Sequence, residues 1–360
     1  NESAAIIAAG CYIQALSNEE RDKLGFDGYI GTNHKGEVVE IVEEILKGKN
    51  VQQVSDMLHE CNYENISLEE KGEHTRTYIK IQDGCNQFCS YCIIPYTRGR
   101  VRSRNPEDVV AEAERMVELG YEELVLTGIH LSSYEAYGEK GGNALLKLME
   151  ELSGIERLKR IRLGSLEPRV VTQEFAEKLS SLKKVCPQFH LSLQSGSDTV
   201  LRRMNRKYST EEYLAGVRAL KTVYDRPAIT TDIIVGFPGE TDEEFKETIE
   251  FTKKVAFSKV HVFQYSRRKG TKADTMPDQV SEQIKKSRSG ELIAHEEKLG
   301  QEYAESFIGE PQNILVEEIE SIDGKDYYTG YNERYIRCAT MNKAGEGVAV
   351  KYKNNILFLE

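Results

Sequence analysis

The chain has 360 residues, of which 39% are hydrophobic and 30% are charged, and its formal net charge at pH 7 is −11. This length predicts two or three domains, with one substantial core and smaller modules attached to it. No apolar run approaches the roughly 18 residues of a membrane span, and the first residues lack the basic flank and apolar stretch of a signal peptide. We therefore predict a soluble protein, and the negative charge excludes indiscriminate binding to nucleic acid.

The cysteines indicate the compartment. There are seven, an odd number, and three of them fall within eight residues. That pattern is not typical of a disulfide framework. A reducing cytoplasm is the predicted location.

Residues 1–75 are predicted to form part of an α/β domain. The pattern indicates a strand at Ala4–Ala9, Cys11 just after it, a helix at Glu37–Lys47 and a polar connector from about 51 to 75. A fragment of this size has too little core to be stable alone. It should pack on the next domain or belong to a larger unit.

Residues 76–298 alternate short β-branched runs with amphipathic stretches, which is typical of repeated βα units and a parallel sheet. Helix starts are marked by Asn105-Pro106 and by capping boxes at Ser209…Glu212 and Thr241…Glu244. The pattern predicts a (β/α)6 partial barrel, within an α/β fold class. Its six strands are predicted at Tyr78–Gln82, Glu123–Thr127, Arg160–Gly164, Phe189–Leu193, Ile229–Val235 and Lys259–Gln264.

Residues 299–360 are predicted to form a small antiparallel β-barrel, preceded by a charged helix over residues 280–307. Turn residues separate its five predicted strands, which are Asn313–Glu318, Tyr327–Tyr331, Tyr335–Ala339, Gly347–Tyr352 and Asn355–Leu359.

Cys85, Cys89 and Cys92 form a C-x3-C-x2-C motif on the loop that follows the first barrel strand. Three thiolates on one short loop suit three irons of a [4Fe–4S] cube and leave the fourth iron open to a ligand. Structural zinc is the alternative, but it calls for a fourth Cys or His nearby, and the loop offers none.

A basic segment follows the cysteines. Alternation would put Arg98, Arg100, Arg102 and Arg104 on one face of an extended strand. This face could bind RNA, with Arg98 and Arg100 as the candidate contacts, or it could be an ordinary solvated edge.

From about residue 76 to 280 the chain resembles the radical S-adenosylmethionine (SAM) superfamily. The resemblance implies a [4Fe–4S] cluster on Cys85, Cys89 and Cys92, with SAM across the carboxyl ends of the strands. It implies that Tyr91 flanks the adenine, that Thr127-Gly128 faces the methionine amino group and that Arg206 pairs with the SAM carboxylate. The residues that it assigns to the ribose are Ser165, Gln194 and Asp232.

More narrowly, the chain resembles the methylthiotransferases, which end in a five-stranded RNA-binding barrel called TRAM. The resemblance rests on Cys92–Arg100, on Gly236–Thr241 and on Tyr328–Ile336. Residues 127–134 resemble the branch that acts on N6-threonylcarbamoyladenosine, just 3′ of the anticodon in tRNA. This implies that SAM serves both as methyl donor and as radical source, and that tRNA is a partner together with a reductant such as flavodoxin or ferredoxin. Tyr328, Tyr331 and Tyr335 would stack on RNA bases or form barrel core.

The family supplies sulfur from a second [4Fe–4S] cluster on three N-terminal cysteines, and Cys11 matches the third of them. The other two should lie upstream of Asn1, since Cys61, Cys186 and Cys338 do not match and are expected to be structural thiols. We therefore expect the chain as it stands to cleave SAM without transferring sulfur.

Two other functions stay open at this point. One is a methylthiotransferase that acts on a ribosomal protein or on another tRNA adenosine. The other is a non-catalytic RNA-binding module with a structural metal.

Overall fold

The protein was analysed as a computed structural model that describes residues 4–67, 70–72 and 75–360. Within these ranges a small parallel sheet, a partial barrel and a closed barrel follow one another along the chain. Nowhere in them is there a helix with the length and apolar character to cross a membrane.

The N-terminal unit is a three-stranded parallel sheet flanked by short helices. Ile41 and Ile45 of its longest helix pack on Ile30 in the central strand. The predicted strand and helix are confirmed with shorter ends, but the other two strands were not predicted, and one of them lies in the stretch assigned to a connector. The elements are β1 (Ile7–Ala9), α1 (Cys11–Ala15), α2 (Asn18–Asp22), β2 (Gly28–Ile30), α3 (Val38–Leu46) and β3 (Val51–Gln53).

The middle unit contains the six predicted parallel strands, in the order β4-β6-β9 and β10-β11-β12. Bridges from Ile161 to Val185 and from Leu166 to Leu191 join the two sheets into one partial barrel. The strands are β4 (Arg76–Asp83), β5 (Arg102–Ser103), β6 (Glu123–Gly128), β7 (Glu135–Ala136), β8 (Glu139–Lys140), β9 (Arg160–Leu163), β10 (Gln188–His190), β11 (Ala228–Val235) and β12 (Lys259–Gln264). The helices are α4 (Ile94–Thr97), α5 (Pro106–Glu118), α6 (Gly142–Ser153), α7 (Gln173–Ser181), α8 (Asp198–Arg203), α9 (Thr210–Val223), α10 (Asp242–Val255) and α11 (Glu282–Glu305).

The helix starts follow the predicted signals. Asn105 caps α5 through its side chain, and Ser209 and Thr241 form complete capping boxes with Glu212 and Glu244. The apolar faces of these helices and the outward residues of the strands form one large buried core. The partial barrel is thereby confirmed, and its six strands bring their carboxyl ends to one edge.

The segment Gly236–Thr241 has a structural role in this arrangement. Glu240 accepts a hydrogen bond from the backbone N–H of Gly236 at 2.7 Å and forms a buried ion pair with Arg288 of α11, also at 2.7 Å. Helix α11 is therefore tied to the turn after β11. This helix runs across residue 298, where we divide the second domain from the third, and the three-domain division stays a proposal.

The C-terminal unit is a closed five-stranded barrel with strand order β13-β14-β15-β17-β16. All its strand pairs are antiparallel except β15 with β17. Its five predicted strands are confirmed with somewhat different ends, as β13 (Pro311–Ile322), β14 (Lys325–Asn332), β15 (Arg337–Thr340), β16 (Glu346–Lys353) and β17 (Ile356–Leu359).

The closed barrel packs on the amino end of the partial barrel through a buried charge cluster. Arg76, Arg160 and Arg162 surround Glu123, which is 1% exposed. Arg162 Nε lies 2.9 Å from the Glu123 carboxylate, Arg76 Nε lies 3.3 Å from it and Arg160 Nη1 lies 3.8 Å from it. We call these four residues the arginine clamp.

The arginine clamp also binds the backbone of the closed barrel. Arg160 donates to the carbonyls of Tyr331 and Asn313 at 3.1 and 2.9 Å. Arg162 donates to the carbonyls of Asn332 and Glu333, both at 2.8 Å. Because one carboxylate is shared by three guanidinium groups, the carbonyls are needed to satisfy the remaining N–H donors. The two barrels are therefore joined by hydrogen bonds in which one barrel supplies the arginine donors and the other supplies the carbonyl acceptors.

Candidate active site

The cysteine loop begins where β4 ends. Gly84 has a φ of 71°, and a Cβ there would lie 1.8 Å from the carbonyl oxygen of Arg100, so only glycine fits this turn. The backbone N–H of Cys85 donates to Gly99, and that of Ser90 donates to Met204, both at 3.0 Å. The loop is thus held on two sides, by the segment after α4 and by the end of α8.

The three thiols of this loop have little contact with water. Cys89 is buried, and Cys85 and Cys92 are partly buried. Burial raises the pKa of Cys85 and raises that of Cys92 to about 11. Within the described ranges no three His, Cys, Asp or Glu side chains converge on a single-ion site, whereas a [4Fe–4S] cube spreads its thiolates over separate irons. An all-thiol set on one loop fits such a cube.

Arg206 reaches the cysteine loop from the segment after α8. Its Nη1 donates to Cys89 Sγ at 3.2 Å, and its Nε lies 3.0 Å from the hydroxyl of Tyr208. Tyr208 is itself fixed by donating to the carbonyl of Leu193 at 2.9 Å, and its ring lies under the guanidinium at 4.8 Å. The guanidinium is therefore positioned beside Cys89, where it could donate to a ligand bound at the cysteine loop.

The other residues assigned to SAM by resemblance are spread along the same edge of the barrel. Thr127 and Gly128 end β6, and Ser165 is exposed just after β9. Gln194 has a φ of 71° and is 9% exposed. Asp232 lies within β11 and is 3.4 Å from His190 Nε2. Their contacts with SAM stay a prediction.

Tyr91 belongs to the same edge. It is partly buried and packs edge-on against Phe237, with the ring centroids 6.5 Å apart, in a small apolar cluster with Val200 and Met204. This cluster connects the cysteine loop to the turns after β10 and β11.

Three polar residues that were not predicted complete the floor of the site. Gln82 is fully buried, donates to the carbonyls of Asp83 and Gly84 at 2.7 Å and accepts from the N–H of His130 at 2.7 Å. Glu167 lies 3.4 Å from His130 Nε2 and 3.4 Å from Gln87 Nε2. His130 and Glu167 stand in motifs quoted from the sequence, but their pairing needs the two loops to meet in space.

Glu167 is ionised at neutral pH. Burial opposes its charge, but hydrogen bonds from His130 and Arg169 outweigh burial and hold its pKa at about 2. A carboxylate therefore stays beside the cysteine loop across the physiological range.

Cys11 and Arg98 lie at the contact between the N-terminal unit and the cysteine loop. Helix α1, which begins at Cys11, packs on α4, and Arg98 bonds both the thiol of Cys11 and the carboxylate of Asp83, the latter at 3.3 Å. Arg98 thus links Cys11 to the end of β4. Its contact with substrate stays a prediction.

The basic segment does not form a single exposed face. Arg102 and Arg104 are buried, at 4% and 3% exposure, and they pair with Asp83 and Glu112. The prediction of four guanidinium groups on one open face is wrong, because the strand β5 ends at Ser103 and both Arg102 and Arg104 turn inward to these carboxylates. Arg100 alone is well exposed, 5.2 Å from the ring of Phe88.

The tyrosines proposed for RNA stacking are used in the junction between the barrels. Tyr331 and Tyr335 stack on each other at 4.6 Å, and the guanidinium of Arg76 lies 5.3 and 5.0 Å from their rings. Tyr328 is partly buried in β14. Tyr331 and Tyr335 therefore fit neither RNA stacking alone nor barrel core alone, because they pack on the arginine clamp.

The chain is similar to known proteins over almost its whole length. Residues 79–252 match the model of the radical SAM superfamily. The chain is 39% identical over 359 residues to the threonylcarbamoyladenosine tRNA methylthiotransferase MtaB of Bacillus subtilis, covering 98% of this chain and 79% of that protein. A protein of the same name from Aquifex aeolicus is 38% identical over 93% of this chain and 81% of its own length.

The chain is also similar to a second kind of tRNA-modifying protein and to a solved radical SAM structure. The tRNA-2-methylthio-N(6)-dimethylallyladenosine synthase of Pelotomaculum thermopropionicum is 38% identical over 88% of this chain and 71% of its own length. The radical SAM methyltransferase TsrM of Kitasatospora setae, solved with cobalamin and a [4Fe–4S] cluster, has a TM-score of 0.59 at 14% identity and covers 75% of this chain and 59% of its own. The last similarity supports the fold alone.

Proposed function

The chain belongs to the radical SAM methylthiotransferases, and from this premise we propose that the protein, when it carries all three cysteines of the second cluster, attaches a methylthio group to C2 of N6-threonylcarbamoyladenosine in tRNA. The observation that carries the proposal is the 39% identity over 98% of the chain with a protein named for that reaction. The resemblance of residues 127–134 to the same branch agrees with it.

The chemistry explains why such a site is needed. The C2–H of adenine is neither acidic nor activated, so acid–base side chains do not open it. A [4Fe–4S] cluster with SAM supplies a carbon radical when one electron cleaves SAM. Cys85, Cys89 and Cys92 would hold that cluster, and Arg206, fixed by Tyr208, would orient the SAM carboxylate beside Cys89.

The remaining site residues would complete the SAM pocket. Tyr91 would flank the adenine, Thr127-Gly128 would face the amino group, and Ser165, Gln194 and Asp232 would take the ribose. Gly128 has its backbone close to Gln82, where an added Cβ would meet side-chain and carbonyl atoms at 3.1 Å. The position therefore favours glycine for close packing at the end of β6.

Further parts of the proposal extend beyond the radical SAM core. Cys11 would be one of three cysteine ligands of a second [4Fe–4S] cluster, with Arg98 beside it. A reductant such as flavodoxin or ferredoxin would deliver the electron. A tRNA substrate and a reduced cluster both suit the cytoplasm.

The test is mass spectrometry of nucleosides from tRNA incubated with SAM, dithionite and the reconstituted protein that carries all three cysteines of the second cluster. We expect the mass of N6-threonylcarbamoyladenosine to change to that of its 2-methylthio form. The second candidate substrate is N6-dimethylallyladenosine, favoured by the 38% identity with the synthase from Pelotomaculum. Product on that nucleoside alone would overturn the substrate assignment.

A further inference from the structure

A basic loop lies on the rim of the cysteine loop. Residues 267–272 read Arg-Arg-Lys-Gly-Thr-Lys, and the four basic side chains are all exposed. In a chain of net charge −11 such a concentration of positive charge stands out. The loop follows β12, so it leaves the barrel at the carboxyl edge that carries the cysteine loop.

Several contacts fix this loop against the cysteine loop. The N–H of Ala273 donates to the carbonyl of Ser90 at 2.7 Å, and Ser90 lies between Cys89 and Cys92. Thr271 is buried and donates to the carbonyl of Arg268 at 2.7 Å, which closes the turn. Ala273 is fully buried in the apolar cluster that contains Tyr91. The basic side chains therefore stand on a rigid support.

Two of the four cations are already paired. Arg267 forms an ion pair with Asp274 at 2.9 Å, and Lys269 forms one with Glu20 of the N-terminal unit at 2.7 Å. For Arg268 and Lys272 no carboxylate partner occurs in the described part of the chain. These two charges are available to an anionic ligand.

Aromatic side chains lie on the same rim. A Cβ on Gly270 would be 3.9 Å from Ile93, which directly precedes α4, and Tyr96 on that helix is 47% exposed. Tyr96 packs edge-on against Phe88 at 5.8 Å, and Phe88 lies under Arg100. Cations beside an exposed ring such as that of Tyr96 are typical of surfaces that bind single-stranded nucleic acid.

We propose that the loop of residues 267–272 binds phosphates of the substrate RNA next to the nucleoside that enters the barrel, with Arg268 and Lys272 as the principal contacts. The inference rests on the proposed function, because it takes RNA as the substrate. RNA is favoured over an acidic protein by the adjoining aromatic ring of Tyr96 and by the position of the loop at the carboxyl edge of the barrel. A nucleotide that reaches the carboxyl edge brings its flanking phosphates to this rim.

The proposal adds RNA contacts outside the closed barrel. There, six basic residues are outnumbered by carboxylates, and Tyr331 and Tyr335 pack on the arginine clamp. Phosphate attraction to that surface is weak for the same reason.

The experiment compares the double variant Arg268→Glu/Lys272→Glu with the matched variant Arg157→Glu/Lys183→Glu. Arg157 and Lys183 are also exposed, but they lie in loops at the amino end of the barrel, and the change in net charge is the same. Binding of an anticodon stem–loop RNA to the reconstituted holoenzyme is measured by fluorescence anisotropy from 50 to 300 mM KCl. SAM cleavage without RNA serves as the loading control.

We expect the Kd of the first variant to rise at least tenfold at low salt, with a log–log salt slope shallower by about 1.4, since each lost single-strand phosphate contact removes about 0.7. The matched variant should bind as the parent does. Equal Kd and slope in the two variants would overturn the proposal.

Turnover on tRNA separates the remaining outcomes. With dithionite as reductant, the first variant should show the raised KM for tRNA. A defect that appears with flavodoxin and disappears with dithionite would mean that the loop docks an acidic electron carrier, which would also overturn the proposal. A parent enzyme that carries all three cysteines of the second cluster and still makes no methylthio product would refute the proposed function, while the anisotropy comparison would still decide the role of the loop.

Discussion

The two ends of the partial barrel use arginine in opposite ways. At the amino end Arg76, Arg160 and Arg162 share the buried carboxylate of Glu123. Arg160 and Arg162 also donate to backbone carbonyls, and Arg76 also pairs with Glu317 and donates to the Tyr335 hydroxyl. At the carboxyl end Arg206 bonds a thiol and a tyrosine hydroxyl, and its Nη2 has no hydrogen bond within the described residues. The clamp arginines are paired with carboxylates and so join two units. Arg206 has no carboxylate partner and keeps an unused N–H donor, which suits the binding of an anionic ligand.

The largest effect is expected at the carboxyl end, on replacing Cys89 by Ala. One lost thiolate should prevent cluster assembly, so about four irons per chain should be lost together with SAM cleavage. Anaerobic reconstitution followed by iron analysis measures this. Cys186→Ala is the control, because Cys186 is buried at 3% exposure and lies outside the loop. Unchanged iron in the Cys89 variant would contradict the cluster assignment.

The next effect tests the spare donors of Arg206. Arg206→Ala should keep its iron but bind SAM roughly ten- to a hundredfold more weakly, since a charge-assisted bond is worth about 1.5–3 kcal/mol. Lys should rescue poorly, because it lacks the planar fork. Arg202, exposed on α8, supplies the control Arg202→Ala. The assignment fails if deoxyadenosine formation at limiting SAM is the same in Arg206→Ala and in the parent.

At the amino end, Glu123→Gln should leave the buried guanidinium groups of Arg160 and Arg162 without a carboxylate, while Arg76 keeps only Glu317. Breaking a buried pair costs about 3–5 kcal/mol, so we expect a lower unfolding midpoint and faster proteolytic release of the closed barrel. Glu122→Gln is the control, since Glu122 is 44% exposed and pairs with Lys159 at the surface. If both variants match the parent in urea unfolding and in proteolysis, the clamp does not hold the junction.

The smallest effect concerns a second carboxylate near the junction. Glu296 lies in α11 and lines a cavity of about 420 Å³ bounded by β12 and the closed barrel. It is 5% exposed, and burial raises its pKa to about 7. A raised pKa means that the folded state holds the proton more tightly. The stabilisation is therefore complete below pH 4.5 and is lost as the pH rises through about 7.

Glu296→Gln should remove this pH dependence. The variant should nearly match the parent at pH 5. At pH 8 its free energy of unfolding should exceed that of the parent by on the order of 1–3 kcal/mol, and it should therefore unfold at a higher temperature. Thermal unfolding at the two pH values measures it. A parent whose stability is flat between pH 5 and pH 8 would contradict the raised pKa.

The sequence was sufficient for what depends on local order. The strand and helix pattern, the capping residues and the spacing of the three cysteines are each set by neighbours along the chain, so the two barrels and the cysteine loop could be predicted. The strands β2 and β3 were missed because Gly-Tyr-Ile and Val-Gln-Gln do not belong to a longer apolar run, whereas the equally short β1 ends the run Ala4–Ala9.

Only the tertiary structure decided which polar side chains meet. Arg98, Arg102 and Arg104 look identical in sequence to Arg100, yet buried carboxylates from other elements pair with the first three. Gln82, His130 and Glu167 become one network only when the end of β4 and two loops converge. Tyr331 and Tyr335 became part of the domain junction because Arg76 reaches them across a gap of more than 250 residues in sequence. A long-range pair is decided by burial and by the need to satisfy each charge, and neither is visible in one segment of the chain.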